Sequence, residues 1–122
     1  MKKKILIVDD EPNIVMSLEF LMRKKNHEVH IARNGTEALD ILTKECPDLI
    51  LLDIMMPDVD GYEICKHVRS QDKFNNTRII FLSAKSKQSD IQKGLDMGAD
   101  MYVTKPFSTR SLMSDVQTLL KK

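Results

Sequence analysis

Apolar residues recur along this chain in two rhythms. Residues 5–8 (ILIV), 49–52 (LILL) and 79–82 (IIFL) are unbroken apolar runs, the pattern of strands covered on both faces in a parallel sheet. Residues 28–33 and 101–104 alternate instead, with Val29 and Ile31 facing one way and His30 the other; these are half-exposed strands. Between the strands the spacing turns helical. Ile14, Val15, Leu18, Leu21 and Met22 predict a helix over residues 12–25, with Pro12 suited to its first turn. Ala38, Leu39 and Leu42 point inward from a helix over 36–46, after an Asn34-Gly35 turn signal. Ile64, Cys65 and Val68 do so over 61–70, and residues 71–77 read as a polar connection. Residues 86–97 carry only a thin stripe, Ile91 and Leu95, with Gly94 inside, so this helix is expected to be the loosest element. After Gly98, Ser108 reads as the N-cap of a last helix built on Leu112, Met113, Val116, Leu119 and Leu120.

Five strands alternating with five helices predict an α/β doubly wound five-stranded parallel sheet with five flanking helices. The two alternating strands belong at the edges and the three apolar ones inside. With right-handed crossovers this gives the strand order 2-1-3-4-5. No linker, repeat or low-complexity segment interrupts the pattern, so residues 1–122 are read as one domain.

Composition narrows the function. The 122 residues are 42% hydrophobic and 30% charged, with a formal net charge of +1. That balance lacks the basic footprint of a nucleic-acid binder. No apolar run reaches membrane-spanning length, and the run after the lysine-rich start is too short for a signal peptide. Cys46 and Cys65 show no CxxC spacing and read as small buried thiols, so the expected location is the cytoplasm. His27, His30 and His67 lack metal-ligand spacing. Asp58 and Asp60 before Gly61 mimic a calcium loop, but its twelfth position would be His67, so they read as turn and N-cap residues.

The chemistry is expected beyond the carboxyl ends of the strands, where strand order reverses. Asp9 and Asp10 follow the first strand, Asp53 the third, Ser83 the fourth and Lys105 the fifth. Any one acid at a strand end is an ordinary helix cap. Together, three carboxylates would raise one another's pKa unless a hard divalent cation compensated them. Oxygen ligands in a shallow, wet site suit Mg²⁺. With Lys105 as a compact cation and Ser83 as a hydroxyl, the set makes a place for a phosphoryl group on Asp53.

The segments ILIVDDEP (5–12), DIMMPDVDG (53–61), FLSA (81–84), GAD (98–100) and YVTKPF (102–107) resemble, in order and spacing, the receiver domain of two-component response regulators over essentially the whole chain. The resemblance implies the flavodoxin-like, CheY-like fold. It implies that Asp53 accepts a phosphoryl group from a sensor histidine kinase or histidine phosphotransfer protein. Asp10, Asp53 and the backbone carbonyl of Met55 would bind Mg²⁺, for which Mn²⁺ could substitute, with Asp9 acting through water. Lys105 would bridge to the phosphoryl group, Ser83 would move to bond it, and Tyr102 would turn inward behind Ser83. The face formed by the fourth helix, fifth strand and fifth helix would then change for a downstream output protein or a linked output domain. Such a domain is regulatory, catalysing only its own phosphorylation and slow dephosphorylation.

Two features depart from the family pattern. The residues two after the acceptor Asp and two after the Ser, which tune self-hydrolysis in the family, are here Met55 and Lys85. Neither can orient an attacking water, so a long-lived acyl phosphate is expected. Met101 precedes Tyr102, and the last helix carries Ser111 and Asp115 where an acid–base set serves dimerisation in receivers of winged-helix regulators; a weak dimer is expected across that face. Three other functions fit less well. A flavin- or nucleotide-binding protein would want a Gly- or Ser-rich loop where this chain has DDEP. An Asp-nucleophile phosphatase would want an acid at Met55. A degenerate receiver would not keep the Asp, Ser and Lys set.

Overall fold

The computed structural model of the protein describes residues 2–121. Strands β1 (Lys4–Val8), β2 (Glu28–Ala32), β3 (Leu49–Asp53), β4 (Arg78–Ser83) and β5 (Met101–Thr104) alternate with helices α1 (Pro12–Lys24), α2 (Gly35–Lys44), α3 (Gly61–Arg69), α4 (Gln88–Asp96) and α5 (Thr109–Leu120). Every pairing is parallel, in the order β2-β1-β3-β4-β5. The doubly wound sheet read from the apolar runs is the one that forms, with the alternating strands at its edges.

The period of two along the inner strands divides the core. Ile5 and Ile7 of β1, Leu49 and Leu51 of β3, and Ile80 and Leu82 of β4 pack with Val15, Leu18 and Met22 of α1 and Leu112, Val116 and Leu119 of α5. Their neighbours Leu6, Val8, Ile50, Leu52, Ile79 and Phe81 face Ala38 and Leu42 of α2 and Ile64, Cys65 and Val68 of α3. Each such aliphatic side chain, removed fully from water, stabilises the fold by about 1.5–3 kcal/mol. This is why the three apolar runs occupy the middle of the sheet.

Four sequence expectations change. Residues 71–77 are more than a polar connection: Asp72–Phe74 forms a 3₁₀ turn, and Phe74 and Thr77 are buried. Thr77 donates its hydroxyl to the Pro47 carbonyl at 2.8 Å, a satisfied buried polar group with no periodic signal. Helix α2 begins at Gly35, one residue earlier than its apolar pattern indicates, because the Asn34 side chain accepts the Glu37 N–H at 2.8 Å. Helix α4 buries only Gly94; Ile91 is half-buried and Leu95 exposed. Cys65 is buried as expected, but Cys46 is exposed, its thiol against the Lys73 carbonyl.

Polar pins complete the frame. Arg69 reaches the carbonyls of Gly98 and Thr77, each at 2.8 Å, and Asp100 at 3.1 Å, while Asp100 accepts the Ile79 N–H. Asp60 caps α3 by accepting the Glu63 N–H at 3.0 Å. Asp58 accepts the N–H groups of Gly35 and Thr36 and the Thr36 hydroxyl, tying the start of α2 to the loop after β3. Those bonds, the Thr36 hydroxyl first, hold the Asp58 carboxyl well below the usual range.

A depressed carboxyl contributes stability that is complete above its unfolded pKa and is lost as pH falls through the folded one. The parent should therefore melt above Asp58→Asn at neutral pH. The gap should narrow once pH drops below the ordinary Asp value of about 3.9, as followed by circular dichroism melts across the acid range.

Candidate functional site: a buried carboxylate cluster at the carboxyl edge of the sheet

Parallel register brings the strand ends to one edge. Val8 lies beside Leu52, Asp53 beside Leu82 and Ser83 beside Thr104. The ladder continues past β1, where the Asp9 N–H meets the Ala32 carbonyl, and past β5, where the Lys105 N–H meets the Ser83 carbonyl at 2.8 Å. Asp9 and Ser83 are therefore fully buried, Asp53 is 4% exposed, and Asp10, one residue beyond the ladder, faces solvent. Carboxylate oxygens of Asp9, Asp10 and Asp53 lie within 4.8 Å of one another.

The loop after β3 must turn sharply to leave this edge open. The Gly61 N–H returns to the Ile54 carbonyl at 2.8 Å. A Cβ on Gly61 would strike the Asp53 carbonyl oxygen and stand 2.8 Å from the Ile54 Cα. The glycine eight residues after the acid is thus a steric requirement of the site.

Lys105 is the only cation in the cluster among the described residues. Its ammonium lies 2.9 Å from Asp9 Oδ2, 2.9 Å from Glu11 Oε1 and 3.5 Å from Asp53 Oδ1, with 10% of the side chain exposed. Burial alone would lower the lysine pKa, but the bonds to Asp9 and Glu11 and the charge of Asp53 outweigh it and raise it. Asp9 is clamped on both oxygens, its Oδ1 accepting the Glu11 N–H at 2.9 Å. Glu11 is the site residue that sequence reasoning missed. It ended a strand in the DDEP run, and no spacing rule pairs it with a lysine 94 positions away.

One lysine does not balance four acids. The Asp53 carboxyl is pushed up to about 7, first by burial and then by repulsion from Asp9, with Lys105 opposing. A buried, proton-hungry carboxylate beside two others is the donor set a hard divalent cation relieves. The residues present fit such an ion. A second group, Glu28, His30 and Glu45, also clusters. There Lys4 already lies 2.7 Å from Glu45 and His30 lies 2.7 Å from Glu28, so these acids are already partnered where β1, β2 and the end of α2 meet.

The remaining sequence-derived residues surround the acids. The Ser83 hydroxyl accepts the Lys85 N–H at 3.1 Å. Tyr102 is half-buried, its ring 6.2 Å from Phe81 and its hydroxyl donating to the Lys85 carbonyl at 2.7 Å. The hydroxyl thus meets the loop that follows Ser83. Burial, partly offset by Ser83, raises the Tyr102 pKa. Met55 is 59% exposed and Lys85 half-buried at the mouth of the site.

A family model of the response regulator receiver domain matches residues 5–117. The chain belongs to that family. It is therefore a receiver domain of two-component response regulators, a regulatory domain. A Francisella response regulator receiver domain is 34% identical, with 98% of this chain and 97% of that one covered and a TM-score of 0.90. The BeF₃-activated receiver domain of DrrB is 33% identical over the whole of both chains, with a TM-score of 0.91. The receiver domain of a signal transduction histidine kinase from Syntrophus aciditrophicus is 34% identical, covering 98% of this chain and 90% of that one, with a TM-score of 0.89. Among the described residues no helix is long and apolar enough to cross a membrane.

Gly94 decides where the Tyr102 side chain can sit. A Cβ there would stand 2.9 Å from the Tyr102 ring and 3.0 Å from the Phe81 ring. Phe81 is locked in the core, so Tyr102 must yield. Gly94→Ala should break the Tyr102–Lys85 bond. Overpacking of this kind costs about 1–3 kcal/mol, more than the gain in helix propensity of about 1 kcal/mol. In a double-mutant cycle with Tyr102→Ala, urea unfolding should return a coupling of about 1 kcal/mol.

Proposed function

We propose that Asp53 is the phosphoacceptor of a signalling switch, charged by a phosphohistidine donor on a sensor histidine kinase or phosphotransfer protein. The observation that carries this reading is the convergence of Asp53 with Asp9, Asp10 and Lys105 at one sheet edge, with an ammonium 3.5 Å from the acceptor oxygen. An Asp53 oxygen attacks phosphorus, the bond to the donor ring nitrogen breaks, and the imidazole, protonated on its other nitrogen, leaves neutral. Asp10, Asp53 and the Met55 carbonyl would hold Mg²⁺ or Mn²⁺, with Asp9 acting through water, and such an ion would supply neutralisation of charge on phosphoryl oxygens. Lys105, already held at the cluster by Asp9 and Glu11, bridges to those oxygens. The Ser83 hydroxyl, an acceptor for Lys85 in the present state, keeps its own proton to donate to them. Drawing Ser83 and its loop toward the phosphoryl group moves the Lys85 carbonyl that anchors Tyr102. This couples the site to α4, β5 and α5, the face offered to an output protein or linked domain.

The direct test is incubation with Mg²⁺ and acetyl phosphate or phosphoramidate, followed by intact mass. One added phosphoryl group is expected on the parent and none on Asp53→Asn; no adduct on the parent with either donor, nor any beryllofluoride complex, would overturn the assignment.

Met55 and Lys85 also set the lifetime. A thioether and an ammonium offer no carboxylate or amide to orient a hydrolytic water, and the ammonium can cover phosphoryl oxygens. The phosphorylated protein should decay more slowly than free acetyl phosphate, and more slowly than a Met55→Asn, Lys85→Glu double variant. Release of inorganic phosphate after removal of the donor gives both rates.

A further inference from the structure

Beside the acceptor edge lies a cavity of about 440 Å³, most of whose lining residues phosphoryl chemistry does not use. It opens between the loop from β3 to α3 and the loop from β4 to α4. Ile54, Met55, Met56 and Pro57 give it apolar surface, and Asp60, Tyr62 and Lys85 give it polar groups. Its volume falls within the roughly 300–1,000 Å³ of small-molecule sites.

Two of those polar groups lack partners among the described residues. Tyr62 is 6% exposed, its ring edge-on to Phe81 at 5.6 Å and under the Lys93 ammonium at 4.1 Å, yet its buried hydroxyl makes no hydrogen bond. Burial raises its pKa, so the hydroxyl stays neutral and able to donate. Lys85 uses its backbone N–H on Ser83 and its carbonyl on Tyr102, but its ammonium forms none of the ion pairs that occupy Lys4, Lys44 and Lys105. Asp60, by contrast, is already committed to capping α3.

We propose that this groove binds a small amphiphilic acid. Its apolar body rests on Met55, Met56 and Pro57, its anionic group pairs with the Lys85 ammonium, and it accepts a hydrogen bond from Tyr62. A neutral apolar occupant would desolvate Lys85 without return and leave Tyr62 unpaired. A cation would be repelled. Unbranched methionine side chains adapt to a rigid ring or a branched chain alike. Ile54 directly follows Asp53, and Lys85 stands two residues past Ser83, so the occupant would share Lys85 with the acceptor site.

The probe is 2-naphthoate, titrated into ¹⁵N-labelled protein without Mg²⁺ or phosphodonor, so that failure here leaves the phosphoacceptor assignment untouched. Saturable shifts are expected at the amides of Met55, Met56, Tyr62 and Lys85, with neutral 2-naphthalenemethanol binding at least about tenfold more weakly. Lys85→Ala should weaken naphthoate by a similar factor. Tyr62→Phe should weaken it by about threefold or more while raising the melting temperature, because an orphan buried hydroxyl is removed. A structural role for that hydroxyl would lower the melting temperature instead. Shifts that do not saturate, that centre elsewhere, or that ignore both substitutions would overturn the proposal, as would a Tyr62→Phe protein that melts lower and binds naphthoate normally.

Discussion

Charge burial at the ends of β1 and β3 is the constraint around which this domain is arranged. Asp9 is wholly inaccessible and Asp53 nearly so, and carboxylates in that setting are costly unless something of opposite charge or with N–H groups meets them. Lys105 meets part of the demand and is held there by Asp9 and Glu11. The deficit falls on Asp53, whose carboxyl is driven up to about 7 by burial first and by Asp9 second. A carboxylate cluster in that condition is one that a hard divalent cation would relieve.

The sheet makes that arrangement possible at modest cost to the rest of the fold. Three strands apolar on both faces anchor two separate cores, so the strand ends can carry unfavourable charge without loosening the middle. The price is paid locally: Gly61 removes a side chain where the loop recrosses the Asp53 backbone, and Gly94 removes one where Tyr102 leans on α4. The second glycine explains why α4 has so little buried surface. Its packing face is occupied by the rings of Phe81 and Tyr102 rather than by its own side chains, leaving Leu95 to solvent. That places the least embedded helix next to Tyr102.

Much of this was legible in the chain because the signals were local or additive. The unbroken runs 5–8, 49–52 and 79–82 named the inner strands, and the alternating segments named the edges. Asp9, Asp10, Asp53, Ser83 and Lys105 could be grouped because parallel strands all end on one side of the sheet. Phe74 and Thr77 were not legible: an isolated aromatic and a threonine in a polar stretch have no period, and their burial depends on β3, Pro47 and Arg69 arriving from elsewhere. Cys46 failed for the converse reason, since a residue type that is usually buried lies just past the last turn of α2, exposed apart from its thiol's contact with the Lys73 carbonyl.

From its sequence alone the chain determined the fold class, the strand order, the carboxyl edge as the meeting place of its acids and lysine, and the family whose residues it carries there. These depend on hydrophobic period and chain direction, which one dimension contains. Only the tertiary structure decided how charge is shared within the edge: that Glu11 joins Lys105, that Asp9 is clamped and Asp10 exposed, that Tyr102 rests on Lys85, and that Tyr62 is buried with its hydroxyl unpaired. Those are distances between residues up to 96 positions apart. Electrostatic and hydrogen-bond energies depend on such separations and on burial, and no periodicity along the chain encodes either.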